Sequence, residues 1–301
     1  MSPIHPPTQN VRHGEVAIAG AGFGGLAMAI QLQKRGINDF VILEKKGEVG
    51  GAWRDNHYPG AACDVQSHMY SFSFETKSDW TKRYAPWHEI QQYILDTVKK
   101  YKLREKILFN QEVISAVFNE GIGKWVVKTQ GGETIIARHW VLASGPLHVP
   151  AMPEIKGLEN FKGKVMHSAD WDHAYDLAGK KVASIGTGGS AIQYVPEIAP
   201  KVGQMHVFQR TPAWVIPRDE RKYSAFSKAM FKALPFTQTL HRWRCYWTNE
   251  SRLWPILNPW MARIGEGLLK KFISYQVKDP ALVKKLTPDY TLGCKRILIS
   301  N

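Results

Sequence analysis

The sequence is poor in cysteine, short of acidic side chains, and without a long uninterrupted apolar run. Cys63, Cys245 and Cys294 are the 3 cysteines among 301 residues. They form no CxxC pair and no zinc-ligand spacing, which excludes a disulfide scaffold and a zinc ribbon. So sparse a set suits a reducing, cytoplasmic compartment. Residues 1–14 are polar and proline-rich and lack the apolar core of a signal peptide. Residues 16–32 are uncharged, but Gly20, Gly22, Gly24 and Gly25 interrupt them, which favours a strand, a turn and a helix over a membrane span. Asp and Glu number 26 against 40 Lys and Arg, for a net charge of +14. That balance asks for an anionic partner, and a phosphorylated cofactor satisfies it as well as nucleic acid or a membrane surface does.

What is present fits about two domains with real cores: 44% of the residues are hydrophobic. Residues 15–19 read as an apolar strand, 24–35 as a helix stopping at Gly36, and 40–43 as a second strand ending at Glu44, together one βαβ unit. A helical pattern returns at 91–103. Strands are expected over 107–119 and 124–130, with a further buried strand at 140–143. After the proline-rich stretch 146–153 the opening pattern recurs: strand 181–185, glycine turn 186–189, helix 190–199, strand 204–209. From 216 to 290 strand patterns give way to helical ones rich in aromatics, with 14 basic and 6 acidic residues. An apolar strand at 296–300 ends the sequence, as though the chain stopped inside a domain.

Two glycine turns carry the chemistry. Gly20-Ala21-Gly22-Phe23-Gly24-Gly25 matches GxGxxG in its proper setting, after a strand and before a helix. Gly20 allows the tight turn, Gly22 lets backbone approach a pyrophosphate, and Gly25 lets helix and strand pack closely. The helix N-terminus offers free N–H groups to the phosphates. Glu44, 24 residues after Gly20, can accept bonds from ribose hydroxyls. Gly186-Thr187-Gly188-Gly189-Ser190-Ala191 matches GxGxxA, and Arg210 lies 24 residues after Gly186, in the register that Glu44 has in the first unit. A carboxylate there suits a free 2′-hydroxyl and an arginine suits a 2′-phosphate, so the second nucleotide is expected to be NADP(H); a solvated strand-end charge is the alternative for Arg210. Two such folds in tandem point to a flavin–pyridine nucleotide enzyme.

Three longer segments carry a family resemblance. FKGKVMHSADWD over 161–172 fits FxGxxxHxxxW(P/D) through Phe161, Gly163, His167, Trp171 and Asp172; GGAWRDNHYPGAACD over 50–64 resembles GGxWxxNxYPGxxCD; and Gly293-Cys294-Lys295-Arg296 resembles a late G-x-K-R segment. With both glycine turns, the sequence resembles the type I Baeyer–Villiger monooxygenases over essentially its whole length. The resemblance implies an α/β fold of two Rossmann-like dinucleotide-binding domains, for FAD and NADP, with a helical insertion in the second. The expected boundaries are 1–145 for the N-terminal part of the FAD domain, 146–215 for the NADP domain with its fingerprint linker at 146–172, 216–290 for the insertion, and 291–301 for the return to the NADP domain. Family members are longer, so truncation at the C-terminus is expected. Glu44, with Gly51, Ala52, Trp53, Asp64, Tyr70 and Val113, would hold FAD. Gly186, Thr187, Gly188, Gly189 and Ser190 would take the NADPH pyrophosphate, and Arg210, Thr211 and Lys295 its 2′-phosphate. Arg296 would be the catalytic arginine and Asp64 its partner.

The implied reaction uses NADPH and O₂ to insert one oxygen atom beside a ketone carbonyl, giving an ester or lactone through a flavin C4a-peroxide, with sulfides as further substrates. A permanent cation near the peroxide favours its anionic form. His167 and Trp171 would couple domain movement to catalysis. No second histidine lies near His167 at a metal-like spacing, so no metal is expected. Trp243, Trp247, Trp254 and Trp260, interleaved with Arg242, Arg244 and Arg252, admit a packed helical subdomain, a peripheral membrane contact, or base stacking; no nucleic-acid motif accompanies them, so nucleic acid is not expected as a partner. Two other readings of the whole stay open: a flavin-containing monooxygenase acting on nitrogen and sulfur, and an inactive nucleotide-binding remnant.

Overall fold

The computed structural model describes residues 10–300; residues 1–9 of the polar N-terminal stretch lie outside it. Its elements run β1 (Asn10–Ala19), α1 (Phe23–Lys34), β2 (Phe40–Leu43), α2 (Ala52–Asp55), α3 (Trp87–Lys100), β3 (Ile107–Leu108), β4 (Val113–Asn119), β5 (Lys124–Thr129), β6 (Glu133–Leu142), β7 (Lys181–Ile185), α4 (Ala191–Ile198), β8 (Gln204–Phe208), β9 (Val215–Pro217), α5 (Ala225–Ala233), α6 (Pro235–Glu250), α7 (Leu253–Leu257), α8 (Pro259–Gln276), α9 (Pro280–Leu286) and β10 (Leu298–Ser300). The fold is α/β, and the chain divides into two compact units: Met1–Asn56 with Ile90–Ala169, and His57–Glu89 with Asp170–Asn301.

The first unit is built on one sheet of order β3-β2-β1-β6-β5-β4. β3, β2, β1 and β6 run parallel, and β5 and β4 add antiparallel neighbours. Ala17, Leu43, Val127, Ile135 and Ala137 form a buried cluster on it. Two expectations change here. The single strand at 107–119 is two: β3 pairs with β2 and β4 with β5, because Asn110 turns the chain with φ +56 and residues 110 and 111 bond back to Lys46 and Glu44. The strand at 140–143 is the end of the ten-residue β6, and Leu142 there is 71% exposed rather than buried.

The second unit repeats the opening motif as β7, a glycine turn, α4 and β8, with β7 and β8 parallel. β9 and β10 form a second parallel pair. Trp214, Ala262 and Leu292 make a small core against Leu269, Tyr290 and Ile297, and the Trp214 indole N–H donates to the Tyr290 carbonyl at 3.0 Å. Among the described residues no helix is long and apolar enough to cross a membrane.

A polar cluster also sits inside this unit. His68 is 1% exposed and ringed by Tyr223, Phe231 and His241 at centroid distances of 4.8–5.0 Å. The Gln238 side-chain amide donates to His68 Nδ1 at 3.1 Å, while His68 Nε2 is buried with no hydrogen-bond partner among the described residues. Burial, with His241 and Arg242 nearby, pushes the His68 pKa down to about 3. The folded protein therefore keeps this ring neutral, whereas the unfolded chain protonates it near pH 6.5. Stability is present in full above pH 6.5 and is lost as the pH falls toward 3, by on the order of 5 kcal/mol in total. Urea unfolding from pH 7.5 down to 4.5 should show rather more than half of that loss, and His68→Phe should flatten it; an equal slope in both proteins would contradict the assignment.

Candidate functional site

In the first unit the glycine turn and the Gly50-Gly51 loop come together. Gly20 donates its N–H to the Leu43 carbonyl at 2.8 Å and adopts φ +95. A Cβ at Gly25 would lie 1.9 Å from the Gly20 carbonyl oxygen, so only glycine lets α1 approach β1 this closely. Gly22 precedes α1, and a Cβ on Gly51 would stand 3.3 Å from the Gly22 Cα. Gly50 donates its N–H to the Ala21 carbonyl at 3.0 Å, which ties the two loops together ahead of Ala52 and Trp53 in α2. Glu44 is buried, and its carboxylate accepts from the Ala21 N–H at 2.9 Å, the Lys46 N–H at 3.0 Å and the Arg54 guanidinium at 2.9 Å. A carboxylate has about four acceptor positions, so roughly one remains for a ribose hydroxyl. Val113 opens β4 beside a register shift.

Arg54 escaped the sequence reading. Its guanidinium also binds Asp55 and the Glu48 carbonyl. Burial works against its charge, yet Asp55 and Glu44 together raise its pKa above the ordinary arginine value. It fixes the orientation of Glu44. In the linker, the Phe161 ring lies against Gly163, where a Cβ would come within 2.6 Å of it. His167 Nδ1 accepts from the Ala169 N–H at 3.0 Å.

The second turn reproduces the first with one change. Gly186 takes φ +99 and donates to the Phe208 carbonyl at 2.8 Å, as Gly20 does to Leu43. Ala19 pairs with Leu43, and Ile185 pairs with Phe208. Gln209, not Arg210, therefore follows the strand end as Glu44 does, and Arg210 comes one residue later. The equal sequence spacing misled because the second connection is one residue shorter between paired positions. Gln209 confirms the equivalence by accepting from the Thr187 hydroxyl at 3.3 Å. Arg210 is exposed and has no hydrogen bond or ion pair among the described residues. Space stands open where a Cβ would be at Gly186 and Gly188. Thr211 is half-buried, and the Lys295 ammonium stands 4.6 Å from the Tyr290 ring centroid.

Residues far apart in sequence gather beside this turn. The Arg296 guanidinium donates to the Asp64 carboxylate, and a Cβ on Gly189 would lie 3.6 Å from the same guanidinium. Tyr58, which the sequence carried only as part of the 50–64 segment, and Gln193, which it did not mark, complete the group. The Tyr58 hydroxyl donates to Gln193 Oε1 at 3.0 Å and also bonds Ser190. Gln193 holds both the N–H and the carbonyl of Ala62, at 3.2 and 3.0 Å, which locks the stretch leading to Asp64 onto α4. Burial raises the Tyr58 pKa, against the Ser190 bond and the Arg296 charge. Burial likewise pushes the Cys63 thiol up to about 12, so it is no nucleophile. Trp171 packs against Tyr194 at 5.3 Å between centroids, Asp172 Oδ1 caps the Ala174 N–H at 3.0 Å, and Tyr70 is half-buried. Among the described residues no cluster of three or more His, Cys, Asp or Glu is arranged to hold a metal ion.

Residues 17–235 match the family model described as pyridine nucleotide-disulphide oxidoreductase. A Baeyer-Villiger monooxygenase from Pseudomonas aeruginosa is 46% identical over 297 residues, covering 98% of this chain and 56% of the relative. Another from Streptomyces coelicolor is 47% identical over 290 residues, covering 96% of this chain and 56% of the relative. The chain thus spans about 56% of the length of these curated relatives. Among solved structures, an oxidized steroid monooxygenase bound to NADP superposes with a TM-score of 0.85 at 30% identity, over 96% of this chain and 63% of that one. A closed crystal structure of cyclohexanone monooxygenase gives 0.84 at 27%, over 97% and 62%. The chain belongs to the pyridine nucleotide-disulphide oxidoreductase family, and over its length it is similar to Baeyer-Villiger monooxygenases.

Proposed function

We propose that the chain holds FAD at the Gly20 turn and NADPH at the Gly186 turn, and serves a Baeyer–Villiger oxidation of a ketone, with sulfides as further substrates. One oxygen atom of O₂ enters beside the carbonyl to give an ester or lactone; the other leaves as water with the two electrons of NADPH. The observation that carries this reading is the Arg296–Asp64 ion pair lying against Gly189 of the second glycine turn. The residues fit the cofactors. Glu44 keeps one acceptor position, Gly186 and Gly188 leave their phosphate-facing space empty of side chain, and Arg210 is unspent.

Bound at the Gly20 turn, FAD would supply the O₂-activating redox chemistry, with NADPH as the source of electrons. The protein's share is positioning and charge. Glu44, braced by Arg54, orients the adenosine end of FAD. Gly22 and Gly51, lacking side chains, let the two loop backbones approach closely where its pyrophosphate would lie. Asp64 fixes where the N–H groups of the Arg296 guanidinium point, so negative charge developing on a substrate oxygen meets a preorganised cation. Dithiol chemistry does not compete: all three cysteines are free, with Cys63 and Cys245 buried. These free thiols support a reducing, cytoplasmic setting. Trp243, Trp247, Trp254 and Trp260 are 62–68% exposed on the basic insertion, which supports a peripheral membrane contact.

Product analysis tests the reaction class. Incubated with NADPH, O₂ and a ketone or a tertiary amine, the flavin-loaded protein should give ester from the ketone; N-oxide alone would move the assignment to nitrogen oxygenation. The coenzyme assignment has its own test. Losing charge-assisted bonds of about 1.5–3 kcal/mol, Arg210→Ala should raise the KM for NADPH roughly 10- to 100-fold and leave NADH nearly unchanged. Equal losses for both coenzymes would contradict a 2′-phosphate contact.

A further inference from the structure

Beyond the glycine turn, the second unit carries a cationic cavity that the oxidation does not use. Two extended segments build one wall. Arg83 donates its backbone N–H to the Arg221 carbonyl at 2.8 Å, Tyr223 donates to the Thr81 carbonyl at 3.0 Å, and Lys82 and Lys222 form an isolated antiparallel bridge. This pairing sets Arg83, Arg221 and Lys222 along a cavity of about 520 Å³, and α6 brings Arg244, with Arg252 just beyond it. Five cations thus face one carboxylate, Asp219. That carboxylate is already spent: it accepts from Arg221 at 2.7 Å and from Arg83 at 2.5 Å, and these bonds, Arg221 first, hold its pKa below the usual range. It preorganises two guanidiniums without neutralising the rest. Lys222, Arg244 and Arg252 have no carboxylate in salt-bridge range among the described residues. Ser224, Ser227 and Thr248 add hydroxyls to the lining. Its floor is polar and half-buried, with the Tyr223 hydroxyl 3.0 Å from His241 Nε2 and the buried Cys245 Sγ 3.7 Å from the same nitrogen.

Concentrating this much positive charge costs repulsion energy that only an anion relieves. Guanidinium forks flanked by hydroxyls match phosphate oxygens better than a lone carboxylate, and the volume exceeds what one inorganic phosphate fills. The lining shares no residue with the Gly186 turn, Arg210, Lys295 or Arg296. We propose that this cavity is a second anion site, binding a phosphate monoester or diphosphate group through Arg83, Lys222, Arg244 and Arg252. The group comes from a free phosphorylated metabolite or from an anionic lipid headgroup. The site stands independently of the cofactor reading.

The test uses the full chain loaded with FAD and saturated with NADP⁺, so that both glycine turns are filled. Pyrophosphate is titrated by calorimetry, and flotation is measured with phosphatidylcholine vesicles with and without phosphatidylglycerol. Saturable pyrophosphate binding is expected, weakened at least about tenfold by Arg244→Glu with Arg252→Glu, weakened again by Lys222→Glu on the opposite wall, retained in Arg244→Lys, and untouched by Arg210→Ala. Flotation on the anionic vesicles alone, lost in the same charge-reversal variants, assigns the phosphate to a lipid and equally supports the site. Binding to neither probe overturns the proposal. So does pyrophosphate binding that survives the charge reversals and disappears in Arg210→Ala, which would place the anion at the coenzyme turn.

Discussion

Replacing Arg296 with alanine is expected to abolish oxygenation while NADPH still reduces the flavin. The guanidinium is held by Asp64 and lies against Gly189, which directs its charge. Removing one preorganised donor of this kind lowers turnover by roughly 10²–10³-fold. Hydride transfer needs no such cation, so anaerobic bleaching of the flavin by NADPH should stay within a few-fold of wild type. Asp64→Asn should give an intermediate loss, because the cation remains and only its orientation loosens. Ester yield at the wild-type level in Arg296→Ala would remove this residue from the chemistry, whatever the fate of the flavin.

Two glycine substitutions should separate folding from binding. At Gly25 a methyl group would meet the Gly20 carbonyl oxygen, a backbone atom that cannot step aside. Gly25→Ala should therefore cost about 3 kcal/mol or more, push α1 off β1 and release FAD. At Gly188 nothing lies within 4 Å of the added Cβ, so Gly188→Ala should melt like wild type. It should bind NADP⁺ more weakly all the same, because the methyl group occupies the room a phosphate needs. Denaturant midpoints and coenzyme titrations on the two variants check both halves. A Gly25→Ala protein of unchanged stability that still retains FAD would mean that helix and strand can separate freely.

Both glycine turns were legible because local sterics fix them: Gly20 and Gly186 need positive φ, and Gly25 allows a contact no side chain tolerates. The strand after each turn was legible from its apolar run. Features set by distant pairing were not. Residues 10–14 and 133–139 look too polar for strands, yet β1 and β6 extend each other from Asn10 opposite Glu133 to Ala19 opposite Leu142, with Arg12 bonded to Glu133 at 2.9 Å. The break at Asn110 follows from two strand segments choosing different neighbours, which periodicity cannot register. The same limit applies at the site. Glu44 was readable from spacing, but its brace Arg54 was not. The Asp64–Arg296 pair joins residues 232 positions apart and entered only through the family resemblance. Gln193 left no trace in the sequence, because a glutamine inside an amphipathic helix gives no sign that it will clasp Ala62 and Tyr58. The shift that puts Gln209 in the place of Glu44 shows that counting residues between motifs is good to about one position.

The proposed function requires two similar turns to hold different dinucleotides, one with a bare ribose and one with a phosphorylated ribose. Titrating the purified chain with FAD, then with NADP⁺ and NAD⁺ in parallel, tests it most directly. One FAD per chain with a bound-flavin absorption spectrum is expected, together with NADP⁺ affinity well above NAD⁺ affinity that falls to the NAD⁺ level in Arg210→Ala. A chain that stays colourless with added FAD, or that binds NAD⁺ as tightly as NADP⁺, would contradict it.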